Sequence, residues 1–303
     1  MTQIGNNIAL LFDAPWLVGQ AVANGLVIGA LFALAAYGMA MVWGVMKIIN
    51  VAQGEFVILG GYVAFYLYTH DIHPLWGLPA AAVMLFLLGW FLYYLVIRRI
   101  VRRDLFTSIL ATFGISIMIQ QLMNLGFGAD VQVAEAGFGS VALLDGVLII
   151  PHIRLLSLAV CAVVAVAVVV FLARSKTGRA IRATAQNERA ARILGINADK
   201  VYAMTFALNA ALCGITGALV AMTFTVHPYI GLPYTVRSFM IVIVAGVGNL
   251  PGVIAAAVGL GSAEELSDYI LGTEYRLAFV FSLLVVILVV RNKQLARKRM
   301  YLH

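Results

Sequence analysis

At 303 residues the chain could form one large or two modest soluble domains, but 63% of it is hydrophobic and only 11% charged, against about 45–50% and about 25% in ordinary soluble proteins. No soluble fold has interior enough for that much apolar surface, which excludes a large water-soluble catalytic domain and leaves room for roughly eight or nine helical spans of about 20 residues. The net charge of +7 is also not spread as a nucleic-acid surface would be: the runs 98–103, 174–200 and 291–299 hold 16 of the 20 basic residues, and short basic loops of this kind orient a membrane protein and meet its lipid.

No basic segment precedes the first apolar block, since Lys47 is the first basic residue, so no cleaved signal peptide is expected. Apolar blocks follow at 16–46, 48–68, 76–97, 105–125, 155–173, 201–226, 235–271 and 277–290. They are too long for barrel strands and lack strict alternation, so helices are predicted. The expected class is an all-α polytopic membrane protein in a single transmembrane domain, 1–303, with about eight transmembrane helices plus one short, broken or re-entrant helix.

Block two opens on Ile48-Ile49-Asn50-Val51-Ala52-Gln53-Gly54-Glu55. Glu55 is the acidic residue placed well within a span, and such groups face a bundle interior or water. A structural glutamate, paired with Lys47 or bonded to the backbone of a neighbouring helix, is an equally weighted reading. Asn50 and Gln53 need not share its helical face unless the backbone unwinds near Gly54. Glycines recur in these blocks, with Gly25 and Gly29 forming GxxxG, and close helix packing is their expected use. Cys161 and Cys213 lie in apolar stretches without CxxC spacing, so neither a redox pair nor a metal site is expected.

If the loops at 98–103 and 174–200 are cytoplasmic, parity puts the N-terminus outside. The loops bearing Asp71, and Asp130, Glu135 and Asp145 (126–154), then also lie outside. Eight crossings would leave Arg291–Arg299 outside as well, which the positive-inside tendency disfavours. Block seven resolves this, because Gly246-Val247-Gly248-Asn249-Leu250-Pro251-Gly252 interrupts it and proline and glycine break a helix. A half helix over 235–248 and a returning helix from about 252 put Glu264, Glu265, Asp268 and Glu274 outside and the C-terminus in the cytoplasm. Such a break has to line protein or water. Within 174–200, Ser175 or Thr177 is placed to cap a helix that Gly195 ends. Ile181, Ala185 and Ile193 give that helix part of an apolar stripe, which suits a lipid surface or a partner protein equally.

Several separated motifs in this order resemble the Liv-type permeases of branched-chain amino-acid ABC importers, on the LivH-like side. They are Asn24-Gly25-Leu26, Ile48 to Glu55, Thr177-Gly178-Arg179 to Leu194-Gly195-Ile196-Asn197, His227-Pro228-Tyr229-Ile230-Gly231, and Gly246 to Gly252. The resemblance implies an inner-membrane subunit paired with a second permease, two cytoplasmic ATPase subunits and an extracytoplasmic solute-binding protein. It also implies that residues near 178–195 are the helix the ATPase grips, with Gly178, Arg179, Arg182, Glu188, Arg189, Arg192 and Gly195 as coupling residues. Asn50, Gln53, Glu55, Asn249 and Pro251 are the candidates for substrate pathway and gate. Where the family has Ala-His-Gly-Glu, this chain has Ala52-Gln53-Gly54-Glu55, which leaves the substrate open among branched-chain and other amino acids and similar small polar solutes. The sequence holds no GxxxxGK[ST] phosphate loop, so no catalytic or ATP site, metal, cofactor or nucleic-acid partner is expected on this chain. The rival reading is an ion-coupled secondary transporter, which normally needs several embedded carboxylates or histidines.

Overall fold

The computed structural model describes residues 15–143, 148–246 and 248–300, without the side chains of 15, 141–143, 148–150, 250 and 291–300. Asp145 and Val247, used above, lie outside the described residues, as does the chain beyond 300.

The helices follow the apolar blocks closely. They are α1 (Pro15–Met46), α2 (Gln53–Thr69), α3 (Gly77–Leu92), α4 (Leu105–Phe127), α5 (His152–Arg174), α6 (Lys176–Gln186), α7 (Glu188–Ile193), α8 (Ala198–Thr223), α9 (Gly231–Ala245), α10 (Leu250–Leu271) and α11 (Arg276–Met300). A 3-10 turn, Pro74–Trp76, leads into α3, which continues through a π-helical turn, Tyr93–Ile97, to a last α turn, Arg98–Ile100. Among the described residues, seven segments are long and apolar enough to cross a membrane: Trp16–Met46, Pro74–Ile100, Leu105–Phe127, His152–Arg174, Ala198–Thr223, Pro228–Ala245 and Thr273–Val290. The all-α polytopic class therefore holds. One addition was not legible in the sequence: within the 126–154 loop, β1 (Ser140–Leu143) and β2 (Leu148–Pro151) pair antiparallel with Ser140 opposite Pro151.

By contacts the chain forms two compact units, residues 30–257 and a unit combining residues up to Gly29 with those from Val258. In the larger unit α8 is the axis, buried along most of its length between α2 and α3. The approach is close because small residues meet: Gly60 lies on the Gly214 backbone, Gly217 on Val57 and Gly61, and Gly89 on Ala207 and Ala210. In α5, by contrast, Val163, Val166 and Val170 are exposed, as expected of a lipid-facing helix.

The same unit has two opposite ends. Ion pairs gather the turn after Ile100, the α7 segment and the start of α8 at one end. At the other, Gln132 bridges to Val226 just beyond α8, and Ala134 N donates to Ala221 O at 3.0 Å. The two loops that the charge pattern assigns to one side thus do share an end.

In the smaller unit α1 crosses α10 where Gly25 meets Ser262 and Gly261 meets Gly29, so GxxxG serves packing there. Glu264 and Glu265 are buried, and Arg276 pairs with Glu265 and with Asp268 at 2.8 Å. These acids are therefore part of a buried, partly neutralised cluster at the end of α10 rather than free surface charges.

Candidate functional site

Block two is predicted to be helical from residue 48, but the helix begins at Gln53. Lys47 takes a left-handed backbone (φ 56°) after α1, and Ile48–Asn50 is irregular. The unwound stretch thus precedes Gly54 instead of including it. Its backbone groups are satisfied by side chains from other helices, as buried irregular backbone requires. Val51 N donates to Thr112 Oγ1 at 3.1 Å, Gly54 N to Thr235 Oγ1 at 2.8 Å, and the Thr235 hydroxyl donates in turn to Val51 O at 2.9 Å.

Asn50, Gln53 and Glu55 are all buried, at 0%, 0% and 2% exposure. Gln53 Nε2 donates to Ala35 O at 2.8 Å and to Asn209 Oδ1 at 2.9 Å, lies 3.0 Å from Cys213 Sγ, and Gln53 Oε1 accepts from Asn50 Nδ2 at 3.3 Å. A neutral imidazole has one donor and one acceptor, so the amide makes one bond more than histidine could at this joint of α1, α2 and α8. Two residues on, Glu55 leaves α2 on the opposite face. Its Oε1 accepts from Ser116 Oγ at 3.3 Å, and its carboxyl packs on Gly231 at the start of α9. Glu55 Oε2 has no hydrogen-bond partner among the described residues, and neither do Asn50 Oδ1 and Asn209 Nδ2. Glu55 does reach a neighbouring helix, but through the Ser116 side chain and not through its backbone.

Ser116 lies near the middle of α4, and Asn209 and Cys213 near the middle of α8. Helix α2 therefore starts deep within the span and meets the first residue of α9, which is 15 residues, or about 22 Å, long. The His227-Pro228-Tyr229-Ile230-Gly231 motif makes this approach possible. His227 Nδ1 accepts from Tyr229 N at 3.3 Å, closing the turn Pro228–Ile230, and Gly231 leaves room for the Glu55 carboxyl. Two helix N-termini, each carrying partial positive charge, thus flank one half-satisfied carboxyl.

Asn249 and Pro251 are at the far end of α9, about 20 Å of helix away. Both are exposed; Asn249 Oδ1 caps α10 by accepting from Gly252 N at 3.1 Å, and Asn249 Nδ2 donates to Ala245 O at 3.2 Å. The five pathway candidates therefore form two groups joined by α9. The half helix occupies 231–245, earlier than the 235–248 read from the sequence.

Sequence reasoning missed Arg237. It is 7% exposed, inside α9, with its guanidinium over the Phe32 ring at 5.1 Å. The signal was present: it is a lone cation inside an apolar block, outside every basic cluster, and embedded cations are functional candidates by default.

In the 174–200 arm, Ser175 Oγ accepts from Gly178 N at 2.8 Å and caps α6. The single helix expected to run to Gly195 is instead broken at Asn187, which takes an extended conformation and caps α7 by accepting from Ala190 N at 3.0 Å. An Asn side chain competes for its own backbone and favours such a corner. Gly195, at φ 83°, ends the arm as expected. Gly178 is packed on the Phe171–Leu172 backbone, and Arg179 and Arg182 donate to Arg174 O at 2.8 Å and Ala173 O at 3.2 Å, satisfying the open carbonyls at the end of α5. Arg192 pairs with Glu188 at 2.8 Å, while Arg189, Ile193 and Leu194 are exposed. Burial pushes the Glu188 carboxyl up, but hydrogen bonds from Tyr202 and Arg192 outweigh it and hold the group below its usual range. The candidate coupling residues therefore comprise a rigid elbow (Gly178, Arg179, Arg182), an ion pair (Glu188, Arg192), the exposed Arg189, and the turn at Gly195.

A family described as branched-chain amino acid transport system, permease component, matches residues 21–290. The LivH permease of the high-affinity branched-chain amino acid transport system of Escherichia coli is 31% identical, over 89% of this chain and 92% of that protein. The corresponding BraD permease of Pseudomonas aeruginosa is 30% identical, over 90% and 93%. LivM, a permease protein of the same Escherichia coli system, is 25% identical over 95% of this chain and 73% of its own length. Among solved structures, PsaBC from Streptococcus pneumoniae in complex with Fab matches with a TM-score of 0.51 at 13% identity, over 94% of this chain and 95% of that one, which is a likeness of fold alone.

Proposed function

The chain belongs to the permease components of branched-chain amino acid transport systems, and from that premise we propose that it is one of two permease subunits of a binding-protein-dependent ABC importer. It is a multi-pass inner-membrane protein. A branched-chain amino acid or similar small polar solute passes inward along its interface with a second permease. That Escherichia coli LivH and LivM both align with this chain over most of its length supports a pair of like-folded partners. An extracytoplasmic binding protein delivers the solute, and two cytoplasmic ATPase subunits hydrolyse ATP against the 174–200 arm. This chain contributes no catalytic residue, ATP site or cofactor. In this reading the N-terminus and the 126–154 loop lie outside, and the arm and C-terminus lie in the cytoplasm.

The observation that carries the pathway reading is Glu55. It is buried deep within the span where the starts of α2 and α9 meet, with one carboxyl oxygen unpartnered among the described residues. Ionisable groups embedded in a span face the bundle interior or a water-filled cavity and mark solute pathways. Asn50 and Gln53 hold the joint behind it, Arg237 stands on the same short helix as Gly231, and Asn249 and Pro251 form the far hinge of α9.

The test is uptake of labelled leucine by proteoliposomes holding the four-subunit membrane complex, with the binding protein outside and ATP inside. Uptake that needs both is expected. Uptake driven by an imposed proton or sodium gradient without ATP would establish the secondary-transporter reading instead.

A further inference from the structure

We propose that Asp199 is the hub of an electrostatic latch that ties the 174–200 arm to the elbow after α3, making it a positioning residue for ATP-driven movement. This rests on the reading of that arm as the ATPase contact and says how the arm's motion reaches the spans.

Asp199 stands in the first turn of α8, whose start is capped by Asn197 Oδ1 accepting from Lys200 N at 3.1 Å. A carboxylate is favoured there by the helix dipole, yet its partners all come from elsewhere. Arg102, beyond the last turn of the α3 segment, donates to Asp199 Oδ1 at 3.0 Å; Arg98, in that turn, lies 3.6 Å from Oδ2; and Arg192, in α7, lies 3.6 Å from Oδ1. Arg192 also holds Glu188, which accepts from Tyr202 in α8. One carboxylate thus adds a shared electrostatic tie among three packed elements, the α3 elbow, the arm and the axis helix.

Charge makes the joint conditional. Three arginines converge on Asp199, so removing its charge converts a clamp into mutual repulsion between Arg98, Arg102 and Arg192. The side chains are far from sealed, at 54%, 60% and 39% exposure for those arginines and 29% for Asp199. Ion pairs this accessible are individually weak and exchange readily, which suits a contact that must yield and reform. The π-helical turn Tyr93–Ile97 immediately before Arg98 adds to this. A π turn rotates everything beyond it relative to a regular helix, and such turns mark functional positions. At the outer edge of the arm, Ile193 and Leu194 are 86% and 79% exposed, one residue from Arg192. A load applied to that tip is transmitted first to Arg192 and from there to Asp199.

The experiment uses the reconstituted four-subunit complex with its binding protein. Asp199→Asn is expected to co-purify with the ATPase subunits and keep basal ATP hydrolysis, while stimulation by leucine-loaded binding protein, and uptake with it, falls at least about fivefold. Asp199→Glu restores both. Arg102→Gln, on the side of the latch away from the arm, reproduces the loss, and the double variant is no worse than Asp199→Asn alone because the two residues share one interaction. Full stimulation in Asp199→Asn would overturn the proposal, and so would a loss that runs parallel to lost co-purification or lost folded yield. Absence of ATP-dependent uptake in the unsubstituted complex would instead overturn the importer reading itself.

Discussion

The backbones of α2 and α9 meet at Gly54, where a Cβ would fall on the Gly231 backbone, and at Gly231 a hydrogen in place of a methyl leaves room for the Glu55 carboxyl. Gly231→Ala is therefore expected to overpack the joint by about 1–3 kcal/mol and to abolish uptake, read as a lower thermal midpoint of the purified complex together with lost transport. Glu55→Gln keeps the shape and removes the acid. It should leave assembly and ATPase docking intact while uptake falls severalfold, matching the loss of a hydrogen bond of about 0.5–1.5 kcal/mol; wild-type uptake would remove Glu55 from the pathway. The importance of Glu55 was legible in the sequence, because a carboxyl amid apolar residues has so few bland explanations. Its neighbours were not, since Ser116 and Gly231 lie 61 and 176 positions away in the chain and nothing local announces either. Arg237 was legible but sat at the edge of a block whose break drew attention away from it.

The elements were read well where length and apolarity decide, and less well where side chains compete with the backbone. Blocks at 16–46 and 105–125 became helices at Pro15–Met46 and Leu105–Phe127, because a lipid-spanning segment has no alternative to internal hydrogen bonding. Residues 48–52 resisted that rule, since threonines on α4 and α9 supply the bonds a helix would have made. The arm divides for a related reason, at Asn187. Its two ends call for separate tests. Ser175→Ala removes the cap of α6 and should cost about 1 kcal/mol, seen as a lower thermal midpoint without loss of the fold. Charge reversal of Arg189, which is exposed, should weaken co-purification with the ATPase and leave the midpoint unchanged. Reversal of Arg182 should do both, because that guanidinium also holds Ala173 O. Unchanged co-purification in both reversals would count against the arm as the docking element.

Across the whole molecule, the three clusters of positive charge call for an odd number of crossings, and among the described residues two helices, 231–245 and 250–271, lie where a short helix and its return are expected. The hairpin at Ser140–Pro151 escaped notice because a short strand pair leaves no long-range imprint on composition. Sidedness can be measured directly. A cysteine placed at Val131, which is 60% exposed, should react with an impermeant thiol reagent in intact cells, and one placed at Arg189 only in inverted vesicles; the opposite pattern would invert the proposed topology. Cys161 and Cys213 are buried and should stay silent. The deep start of α2 also bears on how the protein is made. Gln53 finds Asn209 and Cys213 only 156 and 160 residues further along the chain. At about 5–20 residues per second, the ribosome needs roughly ten to thirty seconds to supply them. Throughout that interval the head of α2 has only Ala35 O and Asn50 as partners for Gln53, and the helix, at 17 residues, is short for a span. Biogenesis therefore has to hold this segment at the insertion machinery, or at the membrane surface, until α8 arrives to receive it.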